Sequence, residues 1–360
     1  MAQVVLGIGT SHTPLLTLGS EQWAHRANVD YANPRLNLSD GRWVSYQELL
    51  AEVGSVHTDT VTPEVLQQKA MRCEGALDKL ADALEAARPD VVVIVGDDQA
   101  ELFTAANQPV VAIFHGDELV MNGKYGDDEW PDWMQTMGRG YLMDSWHRMP
   151  GCPDLALSLI GGMIDSEIDV TSIARVDEGE GNGFGHAYGF IFKRLFRDRK
   201  IPTVPVLLNT YFPPNVPTAR RAFDIGRALL DAIEHAPQDL RVAIIASGGL
   251  SHFVVDEALD RTILKAFQDG DSETLKATPR EALNSGSSEI LNWIMAAGAM
   301  KDCKLDWHEY LPLYRTPAGT GVGAAFVVWK PVESFGLQTE AISNPEGVEI
   351  EAASTKEDQV

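Results

Sequence analysis

Short apolar runs recur along the chain, and the most regular of them is the β-branched run Val91–Val95. A continuous run of this length is typical of a strand that is buried on both faces of a parallel sheet. Amphipathic patterns separate the runs, and one of them starts at Thr62-Pro63 and continues to about Ala87 with apolar residues at three- and four-residue steps. Strands that alternate with helices predict an α/β fold.

We therefore predict a central mixed or mostly parallel sheet flanked by helices, in a single domain over residues 1–332. The irregular segment 20–88 predicts a helical insertion after the first strand. Residues 120–152 lack a clear period and predict a long loop over the strand ends. From residue 333 the chain is polar and acidic without a core-forming pattern, which predicts a disordered tail.

The composition excludes several classes of function. With 29 basic and 52 acidic residues the formal charge is −23, which disfavours binding to nucleic acid or to an anionic membrane surface. No apolar run approaches the roughly 18 residues of a membrane span. The cysteines Cys73, Cys152 and Cys303 are far apart and form no CxxC motif, so we expect neither a disulfide framework nor a thiolate zinc site. These features predict a cytoplasmic protein.

Titratable or metal-binding side chains follow several of the predicted strands. Ligands bind at the carboxyl ends of strands in open α/β sheets, and two imidazoles with one carboxylate on one face would form a mononuclear iron site. Glu289 lies on a predicted helix at 287–297 and would supply the carboxylate if it points inward. Alternatively, it lies in the first turn only because the helix dipole stabilises a negative charge there. The residues that follow strands in this way are His12, Asp98-Gln99, His115 and His252.

A nucleotide-binding interpretation of the first strand is disfavoured. The motif Gly7-x-Gly9 lacks the third glycine of a dinucleotide-binding fingerprint, because His12 and Pro14 stand where that glycine and the helix would be. The sequence also contains no P-loop and no nucleophile-elbow motif.

Several motifs together resemble the LigB-type, class III extradiol ring-cleavage dioxygenases, the family of the protocatechuate 4,5-dioxygenase catalytic subunit and of gallate-type dioxygenases. Their order and spacing extend over nearly the whole chain up to about residue 330, and the third motif is the most specific. The motifs are Thr10-Ser11-His12-Thr13-Pro14, Val91–Val95 with Gly96-Asp97-Asp98-Gln99, Ser247-Gly248-Gly249-Leu250-Ser251-His252, Ser285-Gly286-Ser287 with Glu289, and Pro317-Ala318-Gly319 with Thr320-Gly321-Val322-Gly323.

The resemblance implies the roles of individual residues. In that family two histidines and a glutamate hold Fe(II), and His12 and Glu289 match the first histidine and the glutamate. His252 matches the acid/base histidine, and His186 is the looser match to a further active-site histidine. By its position, Arg315 would meet a substituent of the ring, together with the tryptophan-rich segment near Trp130–Trp146.

The chain departs from the family pattern at the second histidine ligand. The closest relatives of the protocatechuate enzyme carry Asn-Asp-His after the second strand, where this chain has Asp97-Asp98-Gln99. Three explanations stay open. His57 or His115 replaces the missing imidazole, with His57 preferred because the insertion can fold over the metal; Gln99 binds through its carbonyl oxygen; or the metal site is lost.

The resemblance implies a non-heme Fe(II) dioxygenase that opens a catechol- or gallate-type ring with O2. Its partners would be a small aromatic substrate and O2, in a homodimer, with or without a small accessory subunit. The alternatives are a metal-dependent hydrolase or lyase in the same pocket, and a non-catalytic binding protein that kept the fold.

Overall fold

The computed structural model describes residues 1–176 and 182–332, in which the chain forms thirteen strands and ten α-helices. The glycine-rich turn predicted at 179–185 lies partly, and the tail predicted from 333 lies wholly, outside the described residues. The strands are β1 (Gln3–Thr10), β2 (Leu36–Asn37), β3 (Trp43–Val44), β4 (Val91–Gly96), β5 (Val111–Phe114), β6 (Glu118–Val120), β7 (Arg148–Pro150), β8 (Thr171–Ile173), β9 (Thr203–Leu208), β10 (Arg241–Ser247), β11 (His252–Val254), β12 (Cys303–Tyr314) and β13 (Thr320–Pro331). The helices are α1 (Trp23–Tyr31), α2 (Tyr46–Val53), α3 (Pro63–Ala87), α4 (Asp132–Gly140), α5 (Pro153–Asp165), α6 (His186–Arg194), α7 (Ala219–His235), α8 (Glu257–Asp269), α9 (Ser272–Lys276) and α10 (Ile290–Ala299).

A nine-stranded mixed sheet forms the centre of the fold. Its order is β11-β13-β1-β10-β4-β9-β5-β8, and β12 pairs with β13. The four central strands β1, β10, β4 and β9 run parallel to one another. Antiparallel pairs flank them on both sides, where β13 pairs with β1 and β5 pairs with β9. The predicted α/β fold with a mixed sheet is therefore confirmed.

The register of the parallel strands brings their carboxyl ends to one edge of the sheet. Thr10 of β1 is level with Ser247 of β10, and Val95 of β4 is level with Ala246 of β10. The segments that leave β1, β4 and β10 therefore emerge side by side. We refer to this side as the carboxyl edge.

The prediction that His115 joins this edge was wrong. The strand β5 pairs antiparallel with β9, so that Val111 lies opposite Leu208 and Ile113 lies opposite Val206. Its carboxyl end therefore lies beside the start of β9, at the other edge of the sheet. The backbone nitrogen of His115 donates to Ile173 on β8 there. Sequence alone shows an apolar run with a histidine behind it, but not the direction in which the strand runs.

Each face of the sheet packs against its own layer of helices. Val91, Val93 and Val95 face a core that includes residues of α5, α7 and α10. Val92 and Ile94 face a second core that includes residues of α3 and α6. All five side chains are fully buried, which explains why β4 is apolar at every position rather than at alternate ones.

The insertion after β1 contains three helices and a short hairpin. The helix α3 begins after the N-cap Thr62, with Pro63 in its first turn, and runs to Ala87 as predicted. A capping box between Ser45 and Glu48 starts α2. The hairpin β2–β3 lies between α1 and α2 and has no counterpart in the prediction.

Two further segments are more regular than predicted. Residues 120–152 contain α4 and the strand β7, which pairs with β6, rather than a structureless loop. The long strand β12 was missed, because a register shift between Leu305 and Trp307 breaks its alternation of apolar and polar residues. Among the described residues, no helix combines the length and the apolar character that crossing a membrane requires.

Candidate metal centre

A cavity of about 210 Å³ lies at the carboxyl edge of the sheet. Larger cavities of about 470 and 730 Å³ lie elsewhere, and the described residues that line them include no histidine. The cavity at the carboxyl edge is lined by His12, Thr13, Pro14, Arg26, Gln99, Glu101, Lys124, Tyr125, Met134, Met137, Tyr141, His186, Tyr211, His252, Phe253, Glu289 and Arg315.

Four metal-binding side chains lie close together at this cavity, and we call them the donor cluster: His12, Asp97, His186 and Glu289. All of them except Asp97 line the cavity. One ligand atom from each lies within 4.8 Å of those of the other three. Two of the residues follow the strands β1 and β4, one opens α6, and one directly precedes α10. The cluster joins two imidazoles and two carboxylates from four separate parts of the chain.

The hydrogen bonds of His12 determine which of its nitrogens faces the cluster. The Ser247 hydroxyl donates to the carbonyl oxygen of Ala187 at 2.6 Å, and this oxygen can only accept. Ser247 Oγ must therefore accept the hydrogen bond that joins it to His12 Nδ1 at 3.0 Å. A neutral His12 that carries its proton on Nδ1 presents the lone pair of Nε2 to the cluster.

The contact between His12 and Glu289 needs a cation. His12 Nε2 lies 3.2 Å from Glu289 Oε2, yet this buried nitrogen has no hydrogen bond of acceptable geometry among the described residues. Two acceptors that face each other in a buried site repel unless a proton or a metal ion lies between them. Imidazole nitrogens with carboxylate oxygens are the donors of non-heme iron sites, so these residues fit an iron ion.

The Glu289 carboxylate lies at the centre of the polar contacts. Its Oε2 accepts a hydrogen bond from the backbone nitrogen of Gly249 at 2.6 Å. Burial disfavours its charge, but the positive charges that His252 and His12 carry when protonated outweigh burial and hold the pKa of Glu289 well below its usual range. For the neighbouring Asp97, burial and the charge of Glu289 raise the pKa. The pair therefore favours one ionised carboxylate in the absence of a metal.

His186 is held by a buried carboxylate. Its Nδ1 lies 2.6 Å from Glu101 Oε1, and its backbone nitrogen donates to the same oxygen at 3.2 Å. Burial disfavours the imidazolium, but the charge and hydrogen bond of Glu101 outweigh burial and raise the pKa of His186 to about 10. For Glu101, burial is likewise outweighed by His186, which lowers the pKa to about 2. A carboxylate on Nδ1 leaves Nε2 as the nitrogen available to a metal.

Gln99 supports the two carboxylates of the donor cluster. Its Nε2 donates to Asp97 Oδ2 at 3.1 Å and to Glu289 Oε1 at 3.2 Å. The amide nitrogen of Gln99, rather than its carbonyl oxygen, therefore faces the cluster. In this arrangement the amide group of Gln99 bridges the carboxylates of Asp97 and Glu289 and orients both.

His252 lies beside the donor cluster with its ring oriented by the backbone. Its Nδ1 donates to the carbonyl oxygen of Leu250 at 2.7 Å, and its Nε2 is 3.4 Å from Glu289 Oε1. Its backbone nitrogen donates to Ser287 Oγ at 2.9 Å. Burial opposes the imidazolium of His252, but the charge and hydrogen bond of Glu289 raise its pKa above the usual range.

Arg315 lines the cavity, but most of its guanidinium is already engaged. Its Nε and Nη2 donate to the two oxygens of Asp30 at 2.6 and 3.0 Å, in an ion pair whose side chains are each 2% exposed. Thr320 Oγ1 also donates to Asp30, at 2.7 Å. The pair connects α1 of the insertion to the turn between β12 and β13.

The tryptophans near Trp130–Trp146 do not line the cavity. The segment that contains α4 contributes other side chains, among them Tyr125, Met134 and Tyr141. The ring of Trp133 stacks instead on His25. The prediction that the tryptophans meet a substituent of the ring was therefore wrong, whereas other side chains of the same segment do line the cavity.

The structure does not bring His57 to the donor cluster. Its half-buried ring stacks on Tyr314 with ring centroids 3.7 Å apart, and its backbone nitrogen donates to Pro317 at 3.0 Å. The insertion thus places His57 on the turn between β12 and β13, away from Glu289. Neither His57 nor His115 lines the cavity.

Sequence reasoning missed three residues of the site, one in the donor cluster and two that line the cavity. Asp97 was noted only as part of a motif, although its position directly after β4 was a usable signal. Glu101 follows the same strand end but showed no periodicity. Arg26 lies on α1 in the insertion, where no motif distinguished it.

Comparisons with known proteins identify relatives of this chain. A family model described as the catalytic LigB subunit of aromatic ring-opening dioxygenase matches residues 54–326. This range contains Gln99, His186, His252 and Glu289, whereas His12 precedes it. A gallate dioxygenase from Pseudomonas putida is 32% identical over 117 residues, which cover 30% of this chain and 34% of that protein. The alignment thus spans about a third of the relative's length.

Proposed function

The chain belongs to the family of catalytic LigB subunits of aromatic ring-opening dioxygenases, and from this premise we propose that it is an Fe(II)-dependent extradiol dioxygenase. Its substrate would be a catechol- or gallate-type aromatic, opened beside the diol with incorporation of both atoms of O2. The observation that carries this proposal is the buried, unpartnered Nε2 of His12 facing Glu289 at 3.2 Å. In an enzyme that works without a metal, two buried hydrogen-bond acceptors that face each other would only destabilise the site.

We propose His12, His186 and Glu289 as the iron ligands, with Asp97 as the further carboxylate of the cluster. In this assignment His186 supplies the second imidazole, which Gln99 cannot supply. The contact between His186 and Glu101 supports it, because histidine ligands commonly donate their other ring nitrogen to a carboxylate. His57 and His115 are not carried into the ligand set.

Iron, when bound, would bring the diol and O2 into one coordination sphere and lower the cost of ionising the diol. His252 would act as the general base. Its Nδ1 proton is committed to Leu250, so Nε2 can accept the proton of a substrate hydroxyl and later return it to the product. Glu289 would stabilise the imidazolium formed on His252 in between.

The size of the cavity restricts the substrate. At about 210 Å³ it is smaller than the roughly 300–1,000 Å³ typical of sites for drug-sized ligands. Apolar side chains, including Met134, Met137 and Phe253, line it beside the polar groups. A single substituted ring fits these limits better than a larger aromatic system.

The proposal is tested with anaerobically purified protein that has been reconstituted with Fe(II). We expect about one iron per chain, and oxygen uptake with at least one of protocatechuate, gallate, methylgallate and alkylcatechols. A ring-opened product should appear with the same stoichiometry as the oxygen consumed. Iron-loaded protein that binds these compounds but consumes no oxygen would contradict the proposal and favour a binding protein, whereas turnover with zinc and without oxygen would favour a hydrolase or lyase.

The role of His186 has its own test. If it is a ligand, His186→Ala should lose iron as His12→Ala does. If His186→Ala retains iron and loses only turnover, its role is that of an acid or base beside the substrate.

Homodimer formation, the need for a small accessory subunit and a cytoplasmic location remain part of the proposal. The free thiols of Cys73, Cys152 and Cys303 support a reducing compartment. Size measurement of the purified chain, with and without added substrate, tests the first of these points.

A further inference from the structure

The wall of the cavity carries positive charge that the proposed ring cleavage does not explain. We call Arg26, Lys124 and Arg315 the cationic wall. Arg26 comes from α1 and Arg315 from the turn between β12 and β13, while Lys124 lies on the segment that precedes α4. Three separate parts of the chain thus contribute a cation to one small cavity whose base carries the carboxylates.

The members of the cationic wall differ in how they are neutralised. Asp30 pairs with Arg315 through two hydrogen bonds and also accepts one from Thr320. No ion pair joins Arg26 or Lys124 to a carboxylate among the described residues. Lys124 is exposed to solvent, whereas Arg26 is largely enclosed and its Nε is buried without a hydrogen-bond partner. Arg26 is therefore the cation of this wall that most lacks a partner.

The surroundings of Arg26 make this lack costly. Burial, then the neighbouring charge of Arg315, lower the pKa of Arg26, and the attraction of Asp30 does not outweigh them. An arginine nevertheless stays charged under these conditions. A partly buried charge without an ion pair or a hydrogen bond to its Nε is unfavourable, and an anion bound in the cavity would relieve it.

The position of Arg26 defines which anion fits. Because Arg26 lines the same cavity as His12, His186 and Glu289, a diol bound at the donor cluster would leave the rest of a single ring within the cavity that Arg26 lines. A guanidinium offers a planar fork of N–H donors that matches a carboxylate. We propose that Arg26 is a specificity-determining residue that binds a carboxylate substituent of the aromatic substrate. This inference rests on the proposed function for the location of the diol, and on the unpartnered Arg26 for the carboxylate.

The test compares two acids with their methyl esters, in which one methyl group replaces the charge of the carboxylate: 3,4-dihydroxybenzoate with methyl 3,4-dihydroxybenzoate, and gallate with the methyl ester of gallate. In iron-loaded wild-type protein we expect kcat/KM to be 10- to 100-fold higher for the acids. In Arg26→Gln most of this preference should disappear, because kcat/KM should fall far more for the acids than for the esters, mainly through a higher KM. Arg26→Lys should keep part of the preference, because the charge remains and the fork is lost.

The matched control is Arg35→Gln, which removes the same charge from an exposed residue of the insertion that lies over Trp43. It should leave the preference unchanged. Equal kcat/KM for acid and ester in the wild type would overturn the inference, and this comparison does not depend on any variant folding correctly. An acid preference that persists in Arg26→Gln would overturn it as well.

A binding measurement separates this inference from the proposed function. The affinity of the same four compounds is measured by calorimetry without oxygen. If no compound supports oxygen uptake, but the wild type binds the acids more tightly and Arg26→Gln does not, the proposed function fails and the inference stands. If oxygen is consumed equally well with acids and esters, the inference fails and the proposed function stands.

Discussion

The donor cluster and the cationic wall contribute residues to the same cavity, but they are built in different ways. The residues of the cluster follow parallel strands or adjoin helices that pack on the sheet, and backbone or buried hydroxyl groups orient them. The residues of the wall are long side chains from the insertion, from a covering segment and from a turn. The first region carries imidazoles and carboxylates that can bind a metal, and the second carries guanidinium and ammonium groups.

This difference separates two properties of the site. Metal binding requires donors that are held within a few tenths of an ångström, and strand ends in a close-packed sheet provide this rigidity. Selection among ring substituents requires only a suitable charge at a suitable distance, which loops and insertions can supply. Substitutions in the two regions should therefore affect different measurements.

The largest effect should follow from Glu289→Gln. This change keeps the shape of the side chain but removes the charge that faces His12 and His252. We expect the affinity for iron to fall more than about 100-fold, beyond the loss typical for residues that only orient a ligand, and turnover to be lost with it. Metal analysis after anaerobic reconstitution measures the change.

Glu281→Gln is the matched control, because Glu281 is exposed and lies a short distance before Glu289 in the chain. It should retain stoichiometric iron. Retention of iron by Glu289→Gln would remove Glu289 from the ligand set and break the distinction between cluster and wall.

His252→Ala should distinguish the residues that bind the metal from the residue that transfers protons, although all of them lie at the carboxyl edge. We expect iron content to stay near that of the wild type and kcat to fall by about 10²- to 10⁴-fold, the usual contribution of a general acid or base. Oxygen uptake and metal content are measured on the same sample. His235→Ala, on the exposed end of α7, is the control, and a simultaneous loss of iron would make His252 a ligand instead.

Asp30→Asn tests how much the ion pair between Asp30 and Arg315, a member of the cationic wall, contributes to the stability of the fold. It leaves the guanidinium of Arg315 buried without its counter-ion, and breaking a buried ion pair typically costs about 3–5 kcal/mol. We expect the free energy of unfolding to fall by this order, as measured by urea denaturation, while folded protein still binds iron.

Asp40→Asn, which affects an exposed pair with Arg42, should leave stability unchanged because solvent screens such pairs. If Asp30→Asn lost iron without losing stability, wall and cluster would not be independent.

The smallest effects concern Gln99 and His57, the two residues considered as replacements for the missing histidine ligand. Gln99→Ala removes the amide that donates to Asp97 and Glu289, and we expect iron affinity to fall about 10-fold. His57→Ala removes a ring that stacks on Tyr314 and should leave iron affinity unchanged. Iron titration of both variants under identical conditions decides between them, and the reverse order would restore His57 as a ligand.

Much of the fold could be predicted from local patterns, because helices and buried strands obey periodicities that can be counted. The bounds of α3 and of the fully apolar strand β4 were predicted almost to the residue. The resemblance to LigB-type dioxygenases is confirmed at the level of the family. The strand β12 and the helix α4 escaped prediction, since an irregular register hides the alternation in the first and glycines weaken the helical pattern in the second.

For the site, the sequence showed that a histidine or a carboxylate directly follows several predicted strands. It could not show which of these side chains lie close together in the folded protein. His12 and Glu289 come together because β1 and β10 are parallel neighbours and α10 packs beside them. His115 has the same local signal, yet β5 runs in the opposite direction. The direction of a strand depends on distant partners, so no local pattern can reveal it.

The sequence by itself determined the α/β class, the positions of most helices and strands, and the set of histidines and carboxylates available for chemistry. Only the tertiary structure decided that His186 and Asp97 join His12 and Glu289, that His57 stays outside, and that Arg26 lines the cavity with its Nε buried and without a hydrogen-bond partner. The physical reason is that propensity and periodicity act over a few residues. Metal sites and charge balance depend instead on side chains that are far apart in the chain and close only after folding.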